Sequence, residues 1–457
     1  MINGKISFWM TDDTITWPVT PTLEANSEFD ILIVGAGYSG LWTAYWTLQH
    51  SPGTSVGVVE AEHLGFGASG RNGGWLSSKT VGVRRALARG SRGGEGVRRM
   101  DDILRRSTDE VVTLLGANKI QARHGGWMQL ARSPSEQARI EHYVEESRTW
   151  GVGETSLRLL SRAEVRERIR ASRVTGAMYS PDGYCVNPAL MLRELASRVV
   201  ESGGHIFSSS RAERIGPGIV TVNGRTVRAR TVVVATEAYT VTERGQRRQI
   251  LPLNSSQIIT RPLTEQEWDE IGWDHCEGVS ASAHTYFYGQ RTPDGRILLG
   301  GRGQPYTFAS GYDPEGRVDS RTVSKLCAAL KDCFPTVDLE PAHAWSGVLG
   351  VARDWSPYVE RDSSSRLIRV GAYAGQGLTG AYVGGRVAAD LVLGRVSEFS
   401  QSAWVRPGPA RWEPEPLRWI GANALYGAYA IADRLEARRG DRRTSRIAKL
   451  ADKLARR

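Results

Sequence analysis

Residues 30–46 read DILIVGAGYSGLWTAYW, and the fold of the chain follows from this stretch. Residues 30–34 form a short apolar run of strand type. A turn of the form G-x-G-x-x-G follows, with glycine at Gly35, Gly37 and Gly40, and residues 41–49 carry an apolar helix pattern. The turn Ser51-Pro52-Gly53 leads into a second strand over 55–60. Strand, glycine turn, helix and strand open a βαβ unit. Gly35 allows the tight turn, Gly37 lets backbone approach a pyrophosphate, and Gly40 lets helix and strand pack closely. The helix start offers unpaired N–H groups and the positive end of its dipole to phosphates. Glu60 lies twenty residues past Gly40 and ends the second strand, where its carboxylate accepts from ribose hydroxyls.

These features predict dinucleotide binding. The acid at Glu60 repels a 2′-phosphate and so disfavours NADP. The motif alone fits NAD or FAD. Its place near the chain start favours FAD, as does a second glycine-rich turn, Gly375-Gln376-Gly377-Leu378-Thr379-Gly380.

Further along, residues 65–74 read GFGASGRNGG, a loop that demands close backbone approach. Residues 84–99 hold six arginines and one acid and read as a solvated segment. Helices are predicted over 96–115, 134–150, 160–169, 188–201, 320–333, 380–393, 420–439 and 443–455. Asn187-Pro188 supplies a cap and a first helical residue. Strands are predicted at 205–208, 218–222, 225–228, 231–235 and 253–260. A hairpin over 284–300 places His284 and Tyr286 on one strand face. Residues 401–418, rich in Pro, Arg and Trp, read as a surface segment. The pattern is α/β with an α+β second domain: a Rossmann-like nucleotide-binding domain from 29–80, 187–238 and 365–395, and an interleaved substrate domain from 81–186 and 239–364. The latter is built on a mixed, largely antiparallel sheet. An N-terminal extension covers 1–28, and a C-terminal surface segment with basic helices covers 396–457.

Composition supports a soluble globular chain of 457 residues: 40% hydrophobic, 24% charged, mean hydropathy -0.34. No run approaches the roughly 18 apolar residues of a spanning helix. Residues 1–28 lack the apolar core of a signal peptide. The four cysteines, Cys185, Cys276, Cys327 and Cys333, form no C-x-x-C pair, so they read as free thiols and fit a reducing cytoplasm. No metal site is expected. The net charge of +10 is concentrated at the end: from 434 to 457 there are ten basic and three acidic residues. This does not suit a nucleic-acid-binding body. It leaves a peripheral membrane or acidic-partner contact open for the tail.

The sequence resembles the FAD-dependent D-amino-acid oxidase/glycine oxidase/sarcosine oxidase (DAO) superfamily. Four segments carry the resemblance: DILIVGAGYSGLWTAYW at 30–46, VVEAEHLGFGASGRNGG at 58–74, TVVVATEAY at 231–239 and VGAYAGQGLTGAYVGGRVAADLVLG at 370–394. The GRNGG loop, with WEPEPLRW at 412–419, is similar to the gamma-glutamylputrescine oxidoreductase-like branch.

The resemblance implies cofactor contacts residue by residue. Gly35, Gly37, Ser39 and Gly40 match the pyrophosphate loop and Glu60 the ribose acid. Ser69, Arg71, Asn72, Gly73 and Gly74 match the loop running toward the isoalloxazine. Ala212 matches the adenine contact, and Thr236 and Glu237 follow the strand that passes the cofactor, with Glu237 standing where many relatives have glycine. Gly375, Gln376, Gly377, Leu378 and Thr379 match the turn facing the flavin pyrimidine, and Gly350 lies in a segment crossing nearby, as does Asp354. No cysteine sits in the matching segments, and although His63 and Arg71 lie near the cofactor in sequence a bond to histidine is not expected, so the FAD is expected to be non-covalent. Trp75, His284, Tyr286, Arg302 and Trp345 are the candidates for the reaction centre, Arg302 as a site for a carboxylate or phosphonate.

The implied activity is oxidation of a primary or secondary amine to an imine, hydrolysed to an aldehyde or keto product, with dioxygen as acceptor giving hydrogen peroxide. The amine is of amino-acid, putrescine-derivative or aminophosphonate type. One alternative is a membrane-associated dehydrogenase passing electrons to a quinone. Another is a non-catalytic FAD-containing subunit.

Overall fold

The computed structural model describes residues 1–89, 93–362 and 364–455. Its first sheet grows from Ser27–Val34. Val56–Val59 and Arg225–Val234 pair with this strand in parallel on either side. His205–Phe207 extends one edge in parallel, and Leu367–Gly371 pairs in parallel with the end of Arg225–Val234. Tyr358–Asp362 then adds antiparallel, as does the hairpin Ala212–Gly216 and Ile219–Val222, for eight strands. The central strands are apolar on both faces because both are covered, one by helices and the other by the strand hairpin 212–222 with Leu23 and Phe29; Leu32, Ile33, Val58, Val232 and Val233 are fully buried.

Helix Tyr38–His50 crosses one face beside helix Gly377–Leu393. Their approach is close enough to need glycine: a Cβ on Gly385 would sit 2.5 Å from Trp42 Cβ. The Trp42 and Tyr382 rings meet edge to face at 4.9 Å between centroids. Burying each such ring contributes on the order of 2–3 kcal/mol.

The second sheet has nine strands. Its middle is antiparallel: Pro341–Val351, Leu251–Thr260, Ile297–Gly301, Phe287–Arg291 and Gly278–Ala281 in order. Trp127–Ala131 joins in parallel, followed antiparallel by Gly176–Ser180 and Arg158–Ser161. Ile2–Asn3 pairs in parallel with the far edge, at His343 and Ala344. This is the mixed, largely antiparallel sheet expected of the substrate domain.

Four local readings change. Arg225–Val234 is one strand, not two, because Arg228 and Arg230 point to solvent while Val227 and Ala229 stay buried. Residues 160–169 begin as strand, and helix Arg162–Arg166 starts only at a capping box made by Ser161 and Glu164. His284 lies in a turn and the strand begins at Phe287, because the Asp433 carboxylate accepts from the His284 and Thr285 N–H groups, both at 2.9 Å. The arginine-rich segment is not simply solvated: Arg84, in the short helix Arg84–Leu87, pairs with Asp101 at 2.9 Å with both side chains largely covered. Residues 90–92 of that segment lie outside the described residues.

The C-terminal segment is tied to the body. Trp404 and Trp412 plug into the core. Helices Leu417–Arg439 and Arg446–Ala455 form an antiparallel hairpin. The Trp355 indole donates to the Ala455 carbonyl at 3.0 Å. Among the described residues, no helix is long and apolar enough to cross a membrane. All four cysteines are unpaired.

Candidate cofactor and substrate site

A cavity of about 1320 Å³ runs between the two sheets. A pocket for a small ligand is about 300–1,000 Å³, so this one has room for a dinucleotide and a substrate together.

One region is built by the first βαβ unit. Gly37 N-caps helix Tyr38–His50 without a side-chain cap of its own; the Tyr38 N–H goes to Ser69 Oγ at 3.0 Å, and the next N–H groups are left to a ligand. Gly35 has φ of 104° and packs so tightly that a Cβ would lie 2.8 Å from the Ala235 carbonyl. Gly40 does not line the cavity; a Cβ there would lie 1.9 Å from the Gly35 carbonyl, so it serves the turn itself. Glu60 accepts from the Ala36 N–H at 2.9 Å and the Glu62 N–H at 3.1 Å. Burial raises its pKa, and those two N–H groups partly offset the rise. Ser210 donates its N–H to the Glu60 carbonyl, and Glu60 and Ala212 both line the cavity.

The loop 65–74 lies against the second sheet. Its carbonyls are held: Arg71 O accepts from Gln257 Nε2 at 2.6 Å and Trp345 Nε1 at 3.0 Å, and Gly73 O from Gln290 Nε2 at 2.6 Å. The Arg71 guanidinium donates to the carbonyls of Phe66, Pro314 and Ser346, and burial lowers its pKa. Ser69 Oγ accepts from the Tyr38 N–H and Asn72 Oδ1 from the Gly74 N–H. Ser69, Asn72 and Gly73 line the cavity, whereas Gly74 packs on the Val186 carbonyl.

The second glycine turn closes another wall. Gln376 N-caps helix Gly377–Leu393 without a side-chain bond, so the first N–H groups of this helix also face the cavity region unpaired. Ser77 Oγ donates to Gln376 Oε1 at 3.1 Å, and Thr379 Oγ1 donates to Ser77 O at 2.8 Å. Thr379 is thus behind the wall, while Gly375, Gln376, Gly377 and Leu378 line it. Ser39 and Tyr373 share a 2.9 Å hydroxyl contact that links this turn to the first.

Thr236 and Glu237 lie between the two turns on the same wall. Glu237 has φ of 47°, and its carboxylate accepts from the N–H groups of Gly350, Ala372 and Tyr373 at 2.5, 3.1 and 3.1 Å. Burial outweighs these donors and pushes its pKa up to about 7. Gly350 is therefore a donor to Glu237 and does not itself line the cavity.

The remaining candidates separate. Trp75, Tyr286 and Arg302 line the cavity. Trp75 meets Tyr288 edge to face at 6.2 Å, and its indole N–H is buried without a partner. Arg302 Nη1 donates to the Asn254 carbonyl at 3.3 Å, and its Nε is buried with no partner. Burial works to lower the Arg302 pKa, but Tyr426, Tyr286 and Tyr288 outweigh it and the net direction is upward. The guanidinium stays charged and, among the described residues, has no carboxylate bound to it.

Two of the reaction-centre candidates are corrected. Trp345 is fully buried behind the loop, where it holds the Arg71 carbonyl and does not reach the cavity. His284 touches the cavity edge but is spent structurally. Its Nε2 lies 3.0 Å from Glu436 Oε1, and its ring stacks on Tyr429 at 5.6 Å. Of the lesser candidates, Asp354 pairs with Arg406 at 2.5 Å, and His63 Nδ1 contacts the Leu64 carbonyl.

Sequence reasoning missed Gln129, Ser255, Gln257, Ser280 and Tyr288, all cavity-lining and all on strands of the second sheet. The available signal was a polar residue inside a buried strand, as with Gln257 in LNSSQIIT. Its Oε1 is buried without a partner. The helical hairpin was also missed as a wall: Tyr429, Asp452 and Lys453 line the mouth.

Two helix starts without side-chain caps, a buried acid at the end of the second strand with Ala212 on the same cavity, and orphaned buried donors and an acceptor fit an extended dinucleotide with a redox ring. This defines a flavin-dependent oxidoreductase built on a Rossmann-like sheet. The chain belongs to the DAO family of FAD dependent oxidoreductases, whose family model matches residues 30–391. Its cofactor is FAD. The chain is 28% identical to the gamma-glutamylputrescine oxidoreductase of Escherichia coli K12, over 91% of this chain and 95% of that protein. It is 25% identical to a probable oxidoreductase OrdL of Rhizobium meliloti, over 84% of this chain and 87% of that one. In structure it is similar to glycine oxidase from Geobacillus kaustophilus, with a TM-score of 0.69 and 20% identity over 83% of this chain and 98% of the other.

Proposed function

We propose that the protein oxidises an amine that also carries an anionic group, giving an imine that water hydrolyses. The observation that carries this reading is Arg302: a charged guanidinium on the cavity wall, ringed by tyrosines, with no carboxylate among the described residues bound to it. A carboxylate or phosphonate supplies the missing partner, and a planar fork of donors suits either. Amino acids, carboxylate-bearing putrescine derivatives and aminophosphonates share this chemistry. The name of the Escherichia coli relative points to the second class.

When bound, FAD accepts the hydride from the carbon bearing nitrogen and returns the electrons to dioxygen as hydrogen peroxide. Residues 35–39, Glu60 and Ala212 hold its dinucleotide end, and residues 72–73 and 375–378 its ring end. The chain's own part is to fix the substrate and its charge state. Arg302 anchors the anion. Trp75, Tyr286 and Tyr288 form an aromatic surround whose low dielectric favours the neutral amine, the form that can lose hydride. The helix start at Gly377, which has no side-chain cap, would supply partial positive charge to the ring end of the bound cofactor. The free thiols support a cytoplasmic location.

The test is anaerobic flavin bleaching with a panel of glycine, sarcosine, gamma-glutamylputrescine, 2-aminoethylphosphonate and putrescine. Bleaching by a member carrying an anion, and not by putrescine, is the expected result. Bleaching by putrescine alone overturns the role given to Arg302. No bleaching by any amine overturns the amine reading.

A further inference from the structure

We propose that the outer face of the C-terminal helical hairpin docks on an anionic lipid bilayer. This rests on the surface of the hairpin and is independent of the substrate reading.

Eight of the chain's strongly exposed large apolar side chains fall between Leu417 and Leu454. They are ordered. On helix Leu417–Arg439, Leu417, Ile420, Ile431 and Leu435 are exposed on one side, with exposed Ala424 and Gly427 between them. Residues 419–432 of this helix contain no charged residue. A helix of 23 residues extends about 34 Å, so the stripe is long. On helix Arg446–Ala455, Ile447, Leu450 and Leu454 recur at helical spacing and are 38%, 59% and 63% exposed. The opposite side of the same helix, Ala448, Ala451 and Ala455, is buried. Core packing therefore does not account for the larger apolar residues.

The two helices are fixed side by side. The Tyr429 hydroxyl donates to Asp452 at 2.6 Å, and the Ser445 N–H donates to Glu436 at 2.7 Å. Beside the second apolar stripe runs a basic one, Arg446, Lys449 and Lys453. Arg438 and Arg443 are exposed at the connecting turn, with Arg439 and Arg442 beside them in ion pairs to Asp441 and Glu141. Phe308 and Trp419, both exposed, meet edge to face at 6.5 Å next to the start of the hairpin.

A helix pair with an apolar face and a basic flank is the pattern that lies in a membrane interface: apolar side chains enter the acyl boundary and cations meet lipid phosphates. A second copy of this chain fits less well, since its pI is about 9.5 and it brings the same positive charge. An acidic peptide matches the cations but leaves most of the apolar stripe from Leu417 to Leu435, about 27 Å long by the helix rise, in water.

The experiment is co-sedimentation of the full-length holoprotein with vesicles of phosphatidylcholine and phosphatidylglycerol, and with phosphatidylcholine alone. Binding to the anionic vesicles, at least about tenfold weaker at high salt, is expected. The double variant Leu450→Glu/Leu454→Glu loses at least tenfold in binding while its flavin content and melting temperature stay unchanged. Equal recovery with neutral vesicles, or unchanged binding by the double variant, overturns the proposal. So does a dimer that Ile431→Glu dissociates in protein that ignores vesicles, because the face is then an interface between copies. Binding to polyglutamate without binding to vesicles likewise overturns it.

Discussion

The carboxylate of Glu237 accepts a 2.5 Å hydrogen bond from the backbone N–H of Gly350, and this contact ties the two sheets together at the cavity wall. Gly350 belongs to the long edge-side strand of the second sheet. The other two donors, Ala372 and Tyr373, directly follow a strand of the first. A Cβ on Gly350 would lie 2.1 Å from the carboxylate, so the pair is fitted by shape as well as charge. Glu237→Ala strands three backbone donors and is expected to cost about 3 kcal/mol, read as a melting point lower by several degrees. The pH dependence has a definite sign. A carboxyl raised from 4.5 to about 7 binds more protons in the folded state across that window. Apoprotein stability therefore falls as pH rises from 4.5 to 7, by about 3 kcal/mol from this group. Glu237→Gln, which mimics the protonated acid, removes that slope. Melts of wild type and variant apoprotein from pH 4.5 to 8 check it; identical slopes count against it.

Glu60 is the acid on which the ribose assignment rests. Both its oxygens already accept from backbone, so its side chain is locked before the cofactor arrives. Glu60→Ala is expected to weaken FAD binding at least about tenfold, or 1.4 kcal/mol. Glu60→Gln keeps one acceptor and loses less. Titration of apoprotein with FAD, followed by fluorescence quenching, gives both values. An unchanged dissociation constant for the alanine variant removes Glu60 from the ribose.

The role proposed for Arg302 is toward the substrate and not the cofactor. Arg302→Gln is expected to raise KM for an anion-bearing amine at least about tenfold, leaving the FAD dissociation constant unaltered. Arg302→Lys keeps the charge and loses the fork, so it recovers only part of the loss. Steady-state peroxide production across substrate concentration separates KM from kcat. A fall in kcat alone would place the guanidinium at the reacting atoms and not at the anchor.

The cofactor half of the molecule was legible in sequence because its chemistry is local. Gly35 to Gly40 and Glu60 sit within one βαβ unit, where spacing fixes geometry. The substrate half is assembled from distant strands. Gln257 and Arg71 are 186 residues apart and meet through one side-chain-to-backbone bond. Nothing local marks Gln257 except a polar residue in an apolar strand. His284 was misplaced for the same reason: the Asp433 carboxylate that holds its backbone in a turn comes from a helix 149 residues later. Trp345 was read by its neighbourhood in sequence, but strand alternation turns it away from the cavity and onto the back of the 65–74 loop. The charge of the tail was visible, and its fold back over the cavity mouth was not.

Glu436 is one of the ties that hold the returning tail, beside Asp433 and the Trp355–Ala455 bond. Its carboxylate accepts from Arg139 at 2.5 Å, from His284 at 3.0 Å and from the Ser445 N–H at 2.7 Å. Burial alone would raise its pKa, but these donors hold it down to about 2. The sign is opposite to that of Glu237. The stabilisation is present above about pH 4.5, the ordinary value, and is lost as pH falls toward 2. After allowing for solvent screening it amounts to about 2 kcal/mol. Glu436→Ala therefore releases the hairpin from the second sheet at neutral pH, because Arg139 and His284 lose their shared anion. Residues 417–455 should then be cut by trypsin several times faster, while the two sheets stay resistant. Wild type should show the same selective cleavage pattern with an acid protease near pH 3. Equal resistance of both proteins at neutral pH would mean that Asp433 and the alanine packing of the hairpin hold it without Glu436.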